Sequence, residues 1–212
     1  MIEENQRLTG AQLLVQCLQN LGVKNSFGVP GESYLAVLDA LHHDDIQFTL
    51  CRQEGAASFA ACAWGKLTGM PGICFVTRGP GATNGSIGVH SARQDSSPMI
   101  LFVGQVGVDQ KDREAFQEVD YRAFFGPLAK WATEIDNAER IPEVVSRAWR
   151  LALSGRPGPV VIGLPEDMLT SQISVEPCQP LEVAEAGVDL SQAEALSRIL
   201  NVSKTLCIFT PL

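Results

Sequence analysis

The sequence predicts a doubly wound α/β fold, in which a mainly parallel sheet of about six strands carries helices on both faces. Two observations lead to this prediction. Short apolar runs alternate with segments of helical periodicity along most of the chain, and the apolar runs are continuous rather than interrupted at every second residue. Continuous apolar strands are buried on both sides, which is typical of parallel sheets covered by helices.

The first half of the chain alternates helices and strands, beginning with a helix that Thr9 can cap. Leucine and cysteine side chains follow at helical spacing, and Gly22 ends this helix. A short strand is predicted from residue 25 to Val29, where Pro30 and Gly31 turn the chain. The next elements are predicted as a helix over 32–43, a strand over 46–51, a helix over 53–68 and a strand over 72–77.

The second half continues the alternation with a glycine-rich turn, a further helix and a buried strand over 98–103. An amphipathic helix is predicted over 141–153, because five apolar residues fall on one of its faces: Val144, Val145, Ala148, Leu151 and Ala152. The last strand of the series is predicted over 159–164. Together these segments give the sheet five or six strands.

Composition divides the chain into one large domain and a short second part. Residues 1–170 carry the alternating elements, whereas residues 171–190 are polar and irregular and are predicted to be a linker. A new helix over 191–200 and a new strand over 204–210 follow. Because one strand at the start of a domain cannot bury its apolar surface, residues 191–212 are interpreted as the truncated start of a second domain.

Charge and composition exclude several classes of partner. The formal net charge of −8 and the lack of basic clusters argue against a nucleic-acid partner. The polar N-terminus does not resemble a signal peptide, and the apolar runs are too short to cross a membrane. The six cysteines show no C-x-x-C spacing, which favours free thiols in the cytoplasm over a zinc site, so no metal ligand is assigned.

Glycine-rich and polar segments follow four of the predicted strands, at 28–32, 52–55, 78–81 and 104–105. In doubly wound folds the functional groups gather at the carboxyl ends of the strands. We therefore expect these four segments to lie along one edge of the sheet.

Glu54 is the first candidate, because it follows a strand and opens a helix whose next residues are small. A glutamate at a helix N-terminus is favoured by the helix dipole by about 0.3–1 kcal/mol, which is a sufficient structural reason for it. The functional interpretation is that the small neighbours let a flat ligand approach the carboxylate, which then shares a proton with a ring nitrogen. The residues alone leave both interpretations open.

The second candidate is the GPGATNG segment over 79–85, which joins a strand to a helix. It is either a tight turn, with Thr83 or Asn84 as the helix cap, or a place where a ligand approaches the backbone closely. It lacks the lysine of a P-loop and the spacing of a dinucleotide-binding turn. The polar segment 115–118 has the composition of an ordinary solvated helix start.

Six blocks of sequence follow one another in a characteristic order: FGVPGE, RQEGAASFAACAWGK, VTRGPGATN, QDSSPMILFVGQ, AFQEVD and SGRPGPVVIGLPED. This order strongly resembles the N-terminal domain of thiamine-diphosphate enzymes, most closely the acetolactate synthase (acetohydroxyacid synthase) group. The resemblance runs from about residue 8 to residue 168. It implies that residues 1–170 form the pyrimidine-binding domain, with a flavodoxin-like fold, and that residues 191–212 begin the central domain.

The resemblance also implies roles for individual residues. Glu54 takes the place of the glutamate that hydrogen-bonds N1′ of the aminopyrimidine and so promotes formation of the C2 ylide, which attacks a 2-keto acid with loss of carbon dioxide. Phe116 and Gln117 fall near the reacting carbon, and Arg156 matches a position that contacts FAD in members that bind it. The residues implied to lie against the pyrimidine are Val29, Pro30, Pro80 and Asn84.

In this family the diphosphate and its Mg²⁺ are held by a separate C-terminal domain, usually that of another subunit. The resemblance therefore implies a homodimer or a tetramer of dimers, a 2-keto acid substrate, and a chain that is inactive on its own. Two positions differ from the family pattern: Arg78 replaces the usual serine before GPG, and Glu166 replaces the lysine of acetolactate synthases.

Two other functions are compatible with the same residues. One is another thiamine-diphosphate lyase or transferase, of the sulfoacetaldehyde or oxalyl-CoA type. The other is a flavodoxin-like domain that binds a small ligand without catalysis, since a fold does not determine a function.

Overall fold

Six parallel strands form the centre of the molecule in the computed structural model, which describes residues 7–184, 187–205 and 207. The described strands are β1 (Leu8–Thr9), β2 (Asn25–Gly28), β3 (Gln47–Leu50), β4 (Gly72–Val76), β5 (Met99–Gln105), β6 (Trp131–Glu134), β7 (Pro159–Pro165) and β8 (Gln172–Ile173). The sheet has the order β3-β2-β4-β5-β7-β6, and β4 and β5 pair from Gly72 opposite Met99 to Val76 opposite Val103. The predicted parallel sheet of about six strands is confirmed.

Helices cover both faces of this sheet. The described α-helices are α1 (Gly10–Asn20), α2 (Leu35–His42), α3 (Glu54–Thr68), α4 (Pro80–Gln94), α5 (Tyr121–Phe125), α6 (Ile141–Leu153), α7 (Glu166–Thr170) and α8 (Leu190–Val202). The buried side chains of α1, α2, α6 and α7 join one apolar core, and those of α3, α4 and α5 join a second core on the opposite face. This two-sided arrangement confirms the doubly wound, flavodoxin-like fold class.

The start of α1 shows how local sequence determines an element boundary. The Thr9 hydroxyl accepts a hydrogen bond from the Gln12 backbone at 3.1 Å, and the Gln12 side chain accepts one from the Thr9 backbone at 2.9 Å. This reciprocal capping box satisfies two backbone donors that a helix start leaves unpaired. Gly22, just past the helix, adopts a φ of 85°, which a glycine tolerates without strain.

Several elements differ from the prediction: the short β1, β8, α5 and α7 were not predicted, and two further differences have a clear cause. The helix predicted over 32–43 begins as a 3₁₀ turn at Glu32–Tyr34 and becomes α-helical only from Leu35. The Tyr34 hydroxyl donates to the Val29 carbonyl, which holds this turn against the end of β2. Strand β6 was missed, because its sequence WATE has no continuous apolar run and its first two residues are only half-buried at the edge of the sheet.

The C-terminal part of the chain returns to the domain before α8. Strand β8 pairs antiparallel with β1, with Ile173 opposite Leu8, and Cys178 is buried against Cys17. The helix predicted over 191–200 is α8, while the strand predicted over 204–210 falls mostly outside the described residues. No helix within the described ranges has the length and apolar character needed to cross a bilayer.

Candidate cofactor site at the carboxyl edge of the sheet

The turns that follow β2 and β4 pack directly on one another. A Cβ atom added at Gly31 would lie 2.4 Å from Cβ of Thr77, so only glycine permits this approach. The Ser33 hydroxyl lies 2.9 Å from the Thr77 hydroxyl and accepts a hydrogen bond from the Arg78 backbone at 3.1 Å. Gly104, near the end of β5, makes room for the same Ser33 side chain, since a Cβ there would lie 2.0 Å from its oxygen.

Glu54 begins α3 at this same edge, with Gln53 as the cap that accepts a hydrogen bond from the Ala56 backbone. The carboxylate is half-buried, and its Oε2 atom accepts a hydrogen bond from the Asn84 amide on α4 at 3.0 Å. A Cβ at Gly81 would lie 3.6 Å from the other oxygen, Oε1. Gly81 is buried, and a Cβ there would also lie 2.8 Å from Cγ2 of Thr77, so glycine lets this turn pack closely. Asn84 fixes the direction in which the Glu54 carboxylate points.

The other residues predicted to contact the pyrimidine surround this carboxylate by their place in the fold. Val29 and Pro30 follow β2, and Pro80 opens α4, so they share the carboxyl edge with Glu54. Val29 is half-buried, whereas Pro30, Pro80 and Asn84 are exposed. Exposure on this side leaves the apolar ring of each proline available to a ligand or to another chain.

Phe116 and Gln117 reach the same edge on a loop between β5 and α5. A Cβ at Gly79 would lie 2.7 Å from Cβ of Gln117, which places this loop in contact with the GPG turn. Gln117 itself has a φ of 64°, a conformation that costs a non-glycine residue energy and is common at functional sites. Phe116 is 77% exposed beside it, which is an unusual position for a large apolar side chain.

The loop that carries Phe116 is held at two points. The Glu118 carboxylate accepts hydrogen bonds from the backbones of Asp112 at 2.6 Å and Ala115 at 3.0 Å, and these bonds hold the pKa of Glu118 below its usual range. The Lys111 ammonium contacts the buried Glu134 carboxylate, at the end of β6, at 2.8 Å. The segment is therefore restrained although it has little regular secondary structure.

Tyr121 is a residue of this site that the sequence did not indicate. Its hydroxyl accepts a hydrogen bond from the Gly79 backbone at 3.0 Å and donates one to the Gly104 carbonyl at 3.2 Å. Burial raises the pKa of Tyr121 to about 12, so the phenol stays protonated and can donate. Tyr121 thus holds the GPG turn, residues 79–81, against the end of β5. A buried tyrosine on a short helix has no distinctive sequence pattern, so the sequence did not indicate this role.

Comparison with known proteins identifies the family of the chain. The model of a protein family described as the thiamine pyrophosphate enzyme, N-terminal TPP binding domain, matches residues 8–124, more than half of the chain. The chain belongs to this family. Thiamine pyrophosphate is the thiamine diphosphate of the sequence prediction, so the predicted family and its cofactor are confirmed.

Relatives in this family carry the name acetolactate synthase. The chain is 41% identical over 169 residues to the probable acetolactate synthase large subunit of Methanocaldococcus jannaschii, a match that covers 80% of this chain and 29% of that protein. It is 37% identical over 202 residues to the acetolactate synthase isozyme 1 large subunit of Escherichia coli K12, covering 93% of this chain and 36% of that protein. The chain thus spans about a third of the length of these relatives.

Arg156 lies apart from the other candidate residues of the family site. It precedes β7, at the amino edge of the sheet, whereas the rest lie at the carboxyl edge. Its guanidinium donates to the Ser96 hydroxyl at 2.7 Å and to the Gln94 carbonyl at 2.9 Å, at the end of α4. Within the part of the chain that the structure describes, no cluster of three or more His, Cys, Asp or Glu residues is placed to hold a metal.

Proposed function

We propose that this edge of the sheet binds the aminopyrimidine ring of thiamine diphosphate in a 2-keto-acid decarboxylase or carboligase of the acetolactate synthase type. The observation that carries the proposal is the half-buried Glu54 residue, whose carboxylate Asn84 orients at the carboxyl edge of the sheet. When bound, thiamine diphosphate supplies the carbon nucleophile and the electron sink for decarboxylation.

Glu54 would hold a proton between its carboxylate and the N1′ atom of the ring. Asn84 donates to Oε2, so Oε1 is the oxygen that remains for the ring nitrogen. The carboxylate also lies at the N-terminus of α3, where the helix dipole favours its charged form. Both effects keep the carboxylate in one position, and a general acid or base needs hydrogen-bond reach to its proton before its acidity matters.

The neighbouring residues would form the walls of the site. Val29, Pro30 and Pro80 offer apolar surface for the faces of the ring. The buried glycines at 79 and 81 let the turn pack closely on Gln117 and Thr77, which holds Pro80 in place. Phe116 and Gln117 would lie toward the substrate and exclude water from it. The restraints on their loop at Lys111 and Glu118 support this positioning role.

We further propose that a second copy of the chain covers the outer surface of α3 and α4. These helices expose three large apolar side chains, Phe59, Leu67 and Ile87, on the side of the sheet where Glu54 and Asn84 lie. Burial of such a patch favours association. A homodimer, or a tetramer of dimers, would complete the site with the diphosphate and Mg²⁺ held by a separate domain, because the described residues offer no cluster of metal ligands.

The position of Arg156 suits a contact outside the pyrimidine site, as expected if FAD is bound elsewhere in the assembly. Two of its guanidinium nitrogens are already used within the domain, so it would add at most part of such a site. A reducing cytoplasm suits the free thiols of all six cysteines.

Substitution of Glu54 by glutamine tests the proposal in the full-length gene product. We expect the rate of proton exchange at C2 of bound thiamine diphosphate, followed by NMR, to fall by roughly 10²–10⁴-fold, the usual contribution of a positioned acid or base. The midpoint of thermal unfolding should change little, because the amide keeps the shape of the side chain. Glu139→Gln is the matched control, since Glu139 is an exposed glutamate at the start of a 3₁₀ turn far from the site.

Two outcomes would count against this assignment. An equal loss of stability and of exchange rate in Glu54→Gln would make Glu54 a structural residue. Normal folding without any binding of thiamine diphosphate would favour the non-catalytic ligand-binding domain instead.

A further inference from the structure

Arg78 and Glu166 form an ion pair across the carboxyl edge of the sheet. Arg78 follows β4 and Glu166 follows β7, and the strand between them is β5. Their side chains meet with 2.9 Å between Nη1 of Arg78 and Oε2 of Glu166. Two strand spacings separate the backbones, about 10 Å, so only long side chains can bridge them. The two residues that differ from the acetolactate synthase pattern are therefore in direct contact.

Arg78 lies on the turn after β4 that also carries residues of the proposed cofactor site. It immediately precedes Gly79, whose backbone packs on Gln117, and it stands three residues before Gly81, which faces Glu54. Its own backbone N–H donates to Ser33. Because it reaches Glu166 after β7, the Arg78 side chain extends from the turn that carries Pro80 across the end of β5.

The guanidinium retains hydrogen-bonding capacity that the domain does not use. Only 14% of the Arg78 side chain is exposed, and its Nε atom is buried with no hydrogen-bond partner among the described residues. Glu166 engages Nη1. Nη2 makes no hydrogen bond among the described residues and is not one of their fully buried polar atoms, so it is the donor that a ligand can reach. Because Nε is covered by protein, a ligand carboxylate would be held by Nη2 and by the charge of the guanidinium.

Glu166 is suited to orient Arg78 without closing the site. Its side chain is 48% exposed, and ion pairs of this exposure contribute only about 0–1 kcal/mol. Its negative charge offsets the cation, so the pair has little net charge before a ligand binds. A singly charged anion fits such a site better than a group with several charges, because each further charge would be repelled by Glu166.

We propose that Arg78 binds the carboxylate of the 2-keto acid substrate through Nη2 and that Glu166 holds the guanidinium in position for this contact. The inference rests on the proposed function, because it places the substrate beside a cofactor activated by Glu54. In this proposal Arg78, on the turn that follows β4, selects substrates that carry a negative charge.

Binding of oxamate to the full-length protein loaded with thiamine diphosphate and Mg²⁺ tests this assignment. Oxamate is an unreactive amide analogue of pyruvate that keeps one carboxylate, and oxamide is its uncharged counterpart. Titration calorimetry should show that Arg78→Gln weakens oxamate binding by about tenfold to a hundredfold, as expected for a lost charge-assisted contact. Arg78→Lys should lose less, because it keeps the charge without the planar fork. Oxamide affinity should be the same in all these proteins.

Glu166→Gln distinguishes substrate binding from a structural brace. If Arg78 binds the carboxylate, this variant should bind oxamate at least as tightly as the unsubstituted protein, since a repelling charge is gone. Equal losses in Arg78→Gln and Glu166→Gln, or a parallel loss of oxamide binding, would overturn the proposal. So would normal oxamate binding with weakened thiamine diphosphate binding, which would assign Arg78 to the diphosphate. Failure of the proposed function shows itself separately, as an unsubstituted protein that does not bind thiamine diphosphate.

Discussion

The two faces of the sheet are built from side chains of different size. On the face covered by α1, α2 and α6, large side chains fill the core, and the rings of Phe75 and Phe102 stack with centroids 5.0 Å apart. On the face covered by α3 and α4, the buried helix residues are nearly all glycine, alanine, serine or cysteine. Small residues let these two helices approach the sheet and each other closely.

The two faces of the sheet differ in what their packing achieves. The core on the face with large side chains is covered by helices of the domain itself. On the other face, close packing of α3 against α4 brings Asn84 within hydrogen-bond distance of Glu54. The outer sides of α3 and α4 still carry exposed apolar residues such as Phe59 and Ile87. We infer that the first face stabilises the fold and that the second positions the Glu54 carboxylate and receives a partner.

The largest expected effect is on the face with large side chains. Trp149, on α6, is 2% exposed, and Trp149→Ala should lower the free energy of unfolding by about 3–5 kcal/mol through lost burial and a cavity. Urea denaturation followed by circular dichroism measures this change. Trp131→Ala is the matched control, because Trp131 is only half-buried and its ring packs under Arg147 at 4.4 Å. Similar losses in both variants would contradict the assignment of stability to this core.

The smaller second effect concerns the contact between α3 and α4. A Cβ at Gly88 would lie 2.3 Å from the Ser58 oxygen and 2.6 Å from the Ser58 carbonyl carbon, so Gly88→Ala must push the helices apart. We expect a loss of about 1–3 kcal/mol in the free energy of unfolding, which is typical of overpacking. Because Asn84 lies one turn before Gly88 on α4, the bond to Glu54 should also lengthen, and C2 proton exchange in the loaded full-length protein should slow.

Gly85→Ala provides the control for this helix contact. A Cβ at Gly85 would meet its nearest neighbour, a Val76 methyl group, at 3.5 Å, which is an ordinary contact. The alanine should therefore be neutral or should stabilise the helix by up to about 1 kcal/mol. If the two variants unfold alike, the close approach of α3 and α4 does not limit stability.

Much of the fold could be predicted from the sequence, because its signals are local. Apolar runs located the buried strands, and the rule that function lies at the carboxyl ends of strands placed Glu54 beside the GPG turn. The contacts that define the site could not be predicted in this way. Asn84 meets Glu54 because α4 packs against α3, and Arg78 meets Glu166, 88 residues along the chain, because only β5 lies between β4 and β7. Strand β6 lacks a continuous apolar run because it is a half-buried strand at the edge of the sheet. Local patterns do not encode strand order.

Substitutions on the outer surface of α3 should have the smallest effect on stability. This surface is proposed to contribute to association of two chains and not to folding of one. Phe59 is 44% exposed, and Phe59→Ser should change the free energy of unfolding of one chain by no more than about 0.5 kcal/mol. If a second copy covers this surface, the same substitution should weaken the dimer of the full-length protein by about tenfold or more, measured by sedimentation velocity.

Leu35→Ser is the matched control for association, because Leu35 is a 63% exposed apolar residue on α2. It should leave the dimer intact, since α2 covers the opposite face of the sheet from α3 and α4. A full-length protein that is monomeric without any substitution, or a dimer equally sensitive to both substitutions, would show that the face with small residues serves the position of Glu54 alone. A loss confined to Phe59→Ser would show that this face serves both purposes, because the residues that bring Asn84 to Glu54 then also shape the surface that a second chain covers.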